Sequence, residues 1–125
     1  MPADPQLVRI VRALAMGAQE KLATQIVILD VSDKLLHTEI FAVASGTNER
    51  QVASIVDAIA EAAKAEGQQL LRVEGKNTLR WVLMDFGDII FHVQHEEDRV
   101  YYSLERLWGD CPVIALDDVA QRTTQ

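Results

Sequence analysis

Cysteine is almost missing from this sequence. Cys111 is its one thiol, so no disulfide can form within the chain, and a reducing compartment is the expected home. Long apolar runs are missing too: none approaches the roughly 18 residues that span a bilayer. Met1-Pro2-Ala3-Asp4-Pro5 has neither the basic patch nor the apolar stretch of a secretory signal, and it is too acidic for a typical transit peptide. A cytoplasmic protein is expected. Basic charge is scarce, with 12 Lys and Arg against 19 Asp and Glu and a net charge of −7. Such a surface repels phosphate backbones on average and is better suited to a basic protein partner. Arg72, Lys76 and Arg80 lie close in sequence and read as solvated loop and edge charges, with a local basic patch as the alternative. Internal repeats, low-complexity segments and obvious linkers are also lacking. What is there, 125 residues at 49% hydrophobic and 25% charged, is ordinary for one globular domain and argues against disorder.

Hydrophobic periodicity divides the chain into alternating elements. Asp4 and Pro5 make a helix start, after which Leu7, Ile10, Val11, Leu14, Ala18 and Leu22 recur at helical spacing. Ile26 to Val31 is a β-branched run that reads as a buried strand, followed by a Ser32-Asp33-Lys34 turn and a second strand from Ile40 to Ala44. The clearest helix follows Ser45-Gly46-Thr47-Asn48. Val52, Ile55, Val56, Ile59, Ala60 and Ala63 share one stripe, Asn48 and Gln51 resemble a capping box, and Gly67 is a C-terminal stop. Strands are expected at Leu70–Val73, Leu79–Phe86 and Ile89–Val93, the last two joined by a tight turn at Gly87-Asp88. His95-Glu96-Glu97-Asp98 places acid at the start of a final helix running through Val100, Tyr101, Leu104, Leu107 and Trp108, which Gly109 and Pro112 end. The order predicts an α/β (α+β) fold: a mixed sheet of about five strands with helices packed on it. Residues 1–116 are expected to form a single domain and 117–125 a flexible tail.

Fragments that imitate active sites do not assemble into one. Asp85-Phe86-Gly87 spells a kinase magnesium tripeptide, yet the glycine-rich loop, paired lysine and catalytic loop are missing. Gly75-Lys76 lacks the glycine that a phosphate loop needs five positions earlier, where Leu70 stands. His92 and His95 are three apart, which on a strand points the rings to opposite faces, although a turn at His95 leaves convergence open. No second cysteine or nearby third histidine completes a zinc set. Ser45 stands at a strand-to-helix transition without the preceding glycine of a hydrolase elbow, and tight turning or capping accounts for it. Asp30, Asp85 and Asp88 are candidates for acid–base chemistry or magnesium, but nothing in the sequence makes them meet. No catalytic residue, cofactor site or metal site is therefore assigned.

The informative stretch is Glu74 to Pro112. In Leu79-Arg80-Trp81-Val82-Leu83-Met84-Asp85, alternation puts Trp81, Leu83 and Asp85 on one face and Arg80, Val82 and Met84 on the other. An exposed first face has the make-up of a binding hot spot: an aromatic anchor, an aliphatic neighbour and an acid. A buried one makes Trp81 ordinary core. Several motifs stand in a specific order: Ile28-Leu29-Asp30-Val31, Ala44-Ser45-Gly46-Thr47 with Arg50, Val73-Glu74-Gly75, then Trp81-Val82-Leu83-Met84-Asp85-Phe86-Gly87-Asp88. His92, Glu96 and Tyr102-Ser103-Leu104-Glu105-Arg106-Leu107-Trp108 close the series. Together, over about residues 8 to 112, they closely resemble the ribosomal silencing factor family, also called Iojap-like or RsfS.

The resemblance implies a topology similar to nucleotidyltransferases without their activity. It implies binding to a basic protein of the large ribosomal subunit, the fourteenth in its naming scheme, at the face where the small subunit docks. That would block subunit joining sterically and repress translation under nutrient limitation; homodimers are also implied. Carried onto this chain, the partner-binding residues are Trp81, Leu83 and Asp85, flanked by the acids Glu74 and Asp88. Departures from the family pattern are Glu39 where aspartate is usual, Phe86 for tyrosine, and Gln94 for an apolar residue. Two rival functions remain: a magnesium-dependent nucleotidyltransferase-like enzyme using Ser45-Gly46, and a dimeric adaptor with no ribosomal role.

Overall fold

The computed structural model describes residues 2–103, 106 and 109–116. Its elements run α1 (Pro5–Glu20), β1 (Thr24–Asp30), β2 (Ile40–Gly46), α2 (Glu49–Ala65), β3 (Arg72–Glu74), β4 (Trp81–Asp85), β5 (Ile89–His95) and α3 (Glu96–Tyr102). The five strands form one mixed sheet in the order β1-β2-β5-β4-β3. β2 and β5 pair in parallel at its centre, and the other neighbours are antiparallel. The parallel pair needs a long crossover, and α2 lies within it.

Both long helices start where their caps dictate. Pro5 opens α1 behind Asp4, whose Oδ1 accepts the Gln6 N–H at 2.8 Å. At α2, Asn48 Oδ1 accepts the Gln51 N–H at 2.8 Å. The reciprocal half of the expected capping box is altered: Gln51 Oε1 accepts the N–H of Thr47, one residue early. Gln51 Nε2 donates to the carbonyls of Lys21 and Leu22, tying the start of α2 to the end of α1. After α2, Gly67 turns left-handed at φ +73°, a conformation that glycine adopts without strain.

The apolar stripes of the two helices cover one face of the sheet. Ile10, Val11, Leu14, Ala15 and Ala18 of α1 and Val52, Ile55, Val56, Ile59 and Ala63 of α2 are buried. They form one core cluster with Ile28, Ile40, Ala42, Ala44, Val82, Met84, Ile89, Phe91 and Val93 from the strands. Each large side chain so buried contributes roughly 1.5–3 kcal/mol. Across the sheet, Leu29, Val31 and Cys111 form a second, smaller cluster with Val27, Leu35 and Phe41. Burial pushes the Cys111 thiol up from its ordinary pKa, which disfavours the reactive thiolate.

Several expected boundaries move, each for a local reason. β2 continues through Ser45 and Gly46 because both pair with β5, at Gln94 and His95. Ser45 is thus inside a buried strand, not at the turn, and its hydroxyl accepts from Arg99 Nη1 at 2.7 Å. β4 begins at Trp81 and not Leu79, because Leu79 takes a left-handed φ of +58° that leaves the extended conformation. β3 falls at Arg72–Glu74, later than Leu70–Val73. α3 ends at Tyr102, where Ser103 turns left-handed at φ +47°. The expected continuation through Leu104, Leu107 and Trp108 lies outside the described residues, as does the tail at 117–125.

Gly75 sets the close approach of β3 to the start of β4. Its φ is +91°, and a Cβ there would lie 2.1 Å from the Trp81 carbonyl oxygen. Gly75→Ala is expected to lower stability by about 2 kcal/mol or more. A urea midpoint equal to that of the unsubstituted chain would contradict this.

Candidate functional site

Alternation along β4 sorts its side chains as expected. Val82 and Met84 are buried beneath the helices, while Trp81, Leu83 and Asp85 are half-buried on the opposite face. The register then decides their neighbours. Glu74 pairs with Leu83 and Arg72 with Asp85 on the outer side. On the inner side Trp81 lies across from Gln94, and Leu83 across from His92. Glu74, Gly75, Trp81 and Leu83 line a shallow groove of about 350 Å³. Three of the five residues expected to bind a partner therefore converge: Glu74, Trp81 and Leu83. Asp85 stands two residues beyond Leu83 on the same row. Asp88 is exposed in the β4–β5 turn and does not line the groove.

The acids are not equivalent. Asp85 Oδ1 accepts the Gly87 N–H at 2.8 Å, holding the turn in which Gly87 takes φ +89°. Its Oδ2 lies 3.6 Å from Arg72 Nη2, and Arg72 Nε is 3.0 Å from Glu74 Oε2. Arg72 is thus a resident counter-ion for both carboxylates. Arg80 is occupied as well, at 2.9 Å from Glu97 and 3.0 Å from Asp98 at the start of α3. The alternative of a basic patch at Arg72, Lys76 and Arg80 accordingly resolves largely into ion pairs of Arg72 and Arg80 with acids. Such exposed pairs contribute little to stability, but they mask positive charge.

Beneath the groove lies a group whose importance the sequence did not reveal. His92 is 6% exposed, and its Nδ1 accepts the Trp81 indole N–H at 3.0 Å. Phe41 meets the imidazole edge-on at a centroid distance of 5.5 Å. Burial lowers the His92 pKa to about 4, since an imidazolium loses its hydration there; the neutral ring is the form that can accept. His95 points elsewhere: its Nδ1 accepts the Glu97 N–H at the start of α3, and its Nε2 lies 3.6 Å from Glu49. The two histidines do not converge. Among the described residues, no group of three or more His, Cys, Asp or Glu side chains is placed to hold a metal ion, and no helix is long and apolar enough to cross a membrane.

The family departures now have surroundings. Glu39 Oε1 accepts the Asp4 N–H at 2.9 Å, so its carboxylate helps fix the entry to α1. Phe86 is packed in the core. Gln94 is fully buried, and neither atom of its amide makes a hydrogen bond among the described residues, an arrangement that costs stability.

The sequence matches the family model described as "Ribosomal silencing factor during starvation" over residues 4–125. The chain belongs to the RsfS family. It is 39% identical to ribosomal silencing factor RsfS of Halalkalibacterium halodurans over 107 residues, covering 85% of this chain and 92% of that protein. The RsfS of Bacillus subtilis is 38% identical over 108 residues, covering 86% and 92% respectively. A crystal structure of a Bacillus halodurans protein superposes with a TM-score of 0.74 at 33% identity, covering 86% of this chain and 97% of that one. The mixed five-stranded α/β fold expected from the sequence is therefore shared with a solved structure.

The low pKa of His92 makes stability depend on pH with a definite sign. The unfolded chain takes up a proton near pH 6.5, whereas the folded chain resists it until about pH 4. The stability linked to this group is fully present above about pH 6.5 and is lost as pH falls through that window. Between pH 7.5 and pH 5 the loss is about 2 kcal/mol. Urea unfolding should show this slope, and His92→Gln should flatten it; superimposable pH profiles would contradict the assignment.

Proposed function

We propose that this chain is a ribosomal silencing factor that acts by obstruction. It holds a basic protein of the large ribosomal subunit against the β3–β4 face and thereby prevents the small subunit from joining. The observation that carries this reading is the groove in which Glu74, Trp81 and Leu83 converge. An indole and a leucine supply apolar area, and a carboxylate at the rim selects a cation. A net charge of −7 favours encounter with a basic surface and suppresses unspecific binding to RNA phosphates. The ribosome as target is supported by the name that relatives carry, ribosomal silencing factor.

Each proposed binding residue has a separate part. Trp81 is the anchor, because a half-buried aromatic ring gives large contact area at little cost in rotamer freedom. Leu83 extends the apolar strip. Glu74 pairs with an incoming Lys or Arg, which shares the carboxylate with Arg72. Asp85 and Asp88 extend the acidic rim, Asp85 being partly committed to its own turn. The nucleotidyltransferase reading gains nothing from the geometry, because the Ser45 hydroxyl lies within β2 against Arg99 and not at the start of α2.

Trp81→Ala combined with Glu74→Lys tests the face while leaving the Asp85 turn intact. The double variant should fold and lose large-subunit binding by at least about 30-fold, the scale of a lost aromatic hot spot. Co-sedimentation with purified large subunits on a gradient reads this. Undiminished co-sedimentation of the folded variant would overturn the site.

A further inference from the structure

We propose that His92 is a positioning residue for the partner-binding face, fixing the orientation in which Trp81 is presented. This rests on the reading above that Trp81 anchors the partner. An indole has a single N–H donor, and here it is directed inward to His92 Nδ1 at 3.0 Å. The bond crosses diagonally between β4 and β5, since the residue opposite Trp81 in register is Gln94 and the one opposite His92 is Leu83. The two rings sit 6.0 Å apart and tilted by 53°. The acceptor is itself held: His92 is in a central strand, almost fully buried, with Phe41 edge-on against it. Gln94 is also buried under this face, yet its amide makes no hydrogen bond among the described residues. Of these two buried polar groups, His92 is the one joined to the indole.

Two consequences follow for recognition. An anchor already ordered in the free protein loses less rotamer freedom on binding. With its N–H turned inward, Trp81 meets the partner through its ring, beside the Glu74 carboxylate in the groove. A π-face beside an acid suits the stem and head of a Lys or Arg side chain. Without the His92 acceptor, the indole N–H must find water or a partner group, and the hydrogen bond that orients it from β5 is lost.

Three substitutions in the full chain test this: His92→Leu removes the acceptor, His92→Gln retains one, and Trp81→Ala removes the anchor. Far-UV circular dichroism checks folding. Proton–nitrogen NMR follows solvent exchange of the Trp81 indole N–H, identified by its disappearance in Trp81→Ala, and gradient co-sedimentation gives large-subunit affinity. Folded His92→Leu should exchange its indole proton at least about tenfold faster and bind about tenfold more weakly, whereas His92→Gln should recover most of both. Wild-type binding by folded His92→Leu, with binding lost in Trp81→Ala, would overturn the positioning role and leave the proposed function standing. Wild-type binding by Trp81→Ala would instead remove the reading on which it rests. Should His92→Leu not fold, His92→Asn, whose shorter amide falls short of the indole, replaces it: fast indole exchange with weakened binding supports the proposal, and fast exchange with wild-type binding overturns it.

Discussion

Sealing one face of the sheet beneath α1 and α2 is the constraint on which the rest of this molecule depends. Val82, Met84, Phe91 and Val93 have no exposed surface once those helices are in place. Because a strand alternates its side chains, their burial commits Trp81, Leu83 and Asp85 to the opposite face. A slip of one residue would bury an acid among aliphatic side chains and expel Met84, so the register is strongly specified. The same register sets Glu74 beside Leu83 and brings His92 within reach of the indole. The proposed binding face is therefore a by-product of core packing on the other side of the sheet.

Electrostatics refine what packing sets up. Arg72 shares itself between Glu74 and Asp85, and Arg80 between Glu97 and Asp98. These exposed pairs add little stability. Their effect is to keep the cations near the groove occupied by the chain's own acids. Asp85 also holds Gly87 in the β4–β5 turn. One carboxylate thus shapes the loop and contributes to the acidic rim, which is why a charge reversal there is a poor test of binding alone.

Periodic features were legible in the sequence because their cause is local. Both amphipathic helices, the Asn48 cap, the Gly87-Asp88 turn and the sorting of β4 follow from spacing two, three or four residues long. The order of motifs also identified the family. Features that need two distant segments were not legible. The Trp81–His92 hydrogen bond joins residues eleven apart on neighbouring strands, and the Arg99–Ser45 contact spans 54 positions. Ser45 looked like a turn residue because a polar side chain before glycine usually is one; its burial is tolerated because a distant arginine satisfies the hydroxyl. Gly75 entered the sequence reading only through a failed phosphate-loop match and a family motif, and its role appears once the Trp81 carbonyl is seen at 2.1 Å from where its Cβ would be.

Subunit joining measures obstruction most directly. Purified large subunits would be incubated with the chain, small subunits added, and association followed by light scattering. Under steric obstruction, joining is suppressed in proportion to occupancy of the large subunit, and the Trp81→Ala, Glu74→Lys variant leaves joining unaffected. Full joining with the chain demonstrably bound to the large subunit would contradict it.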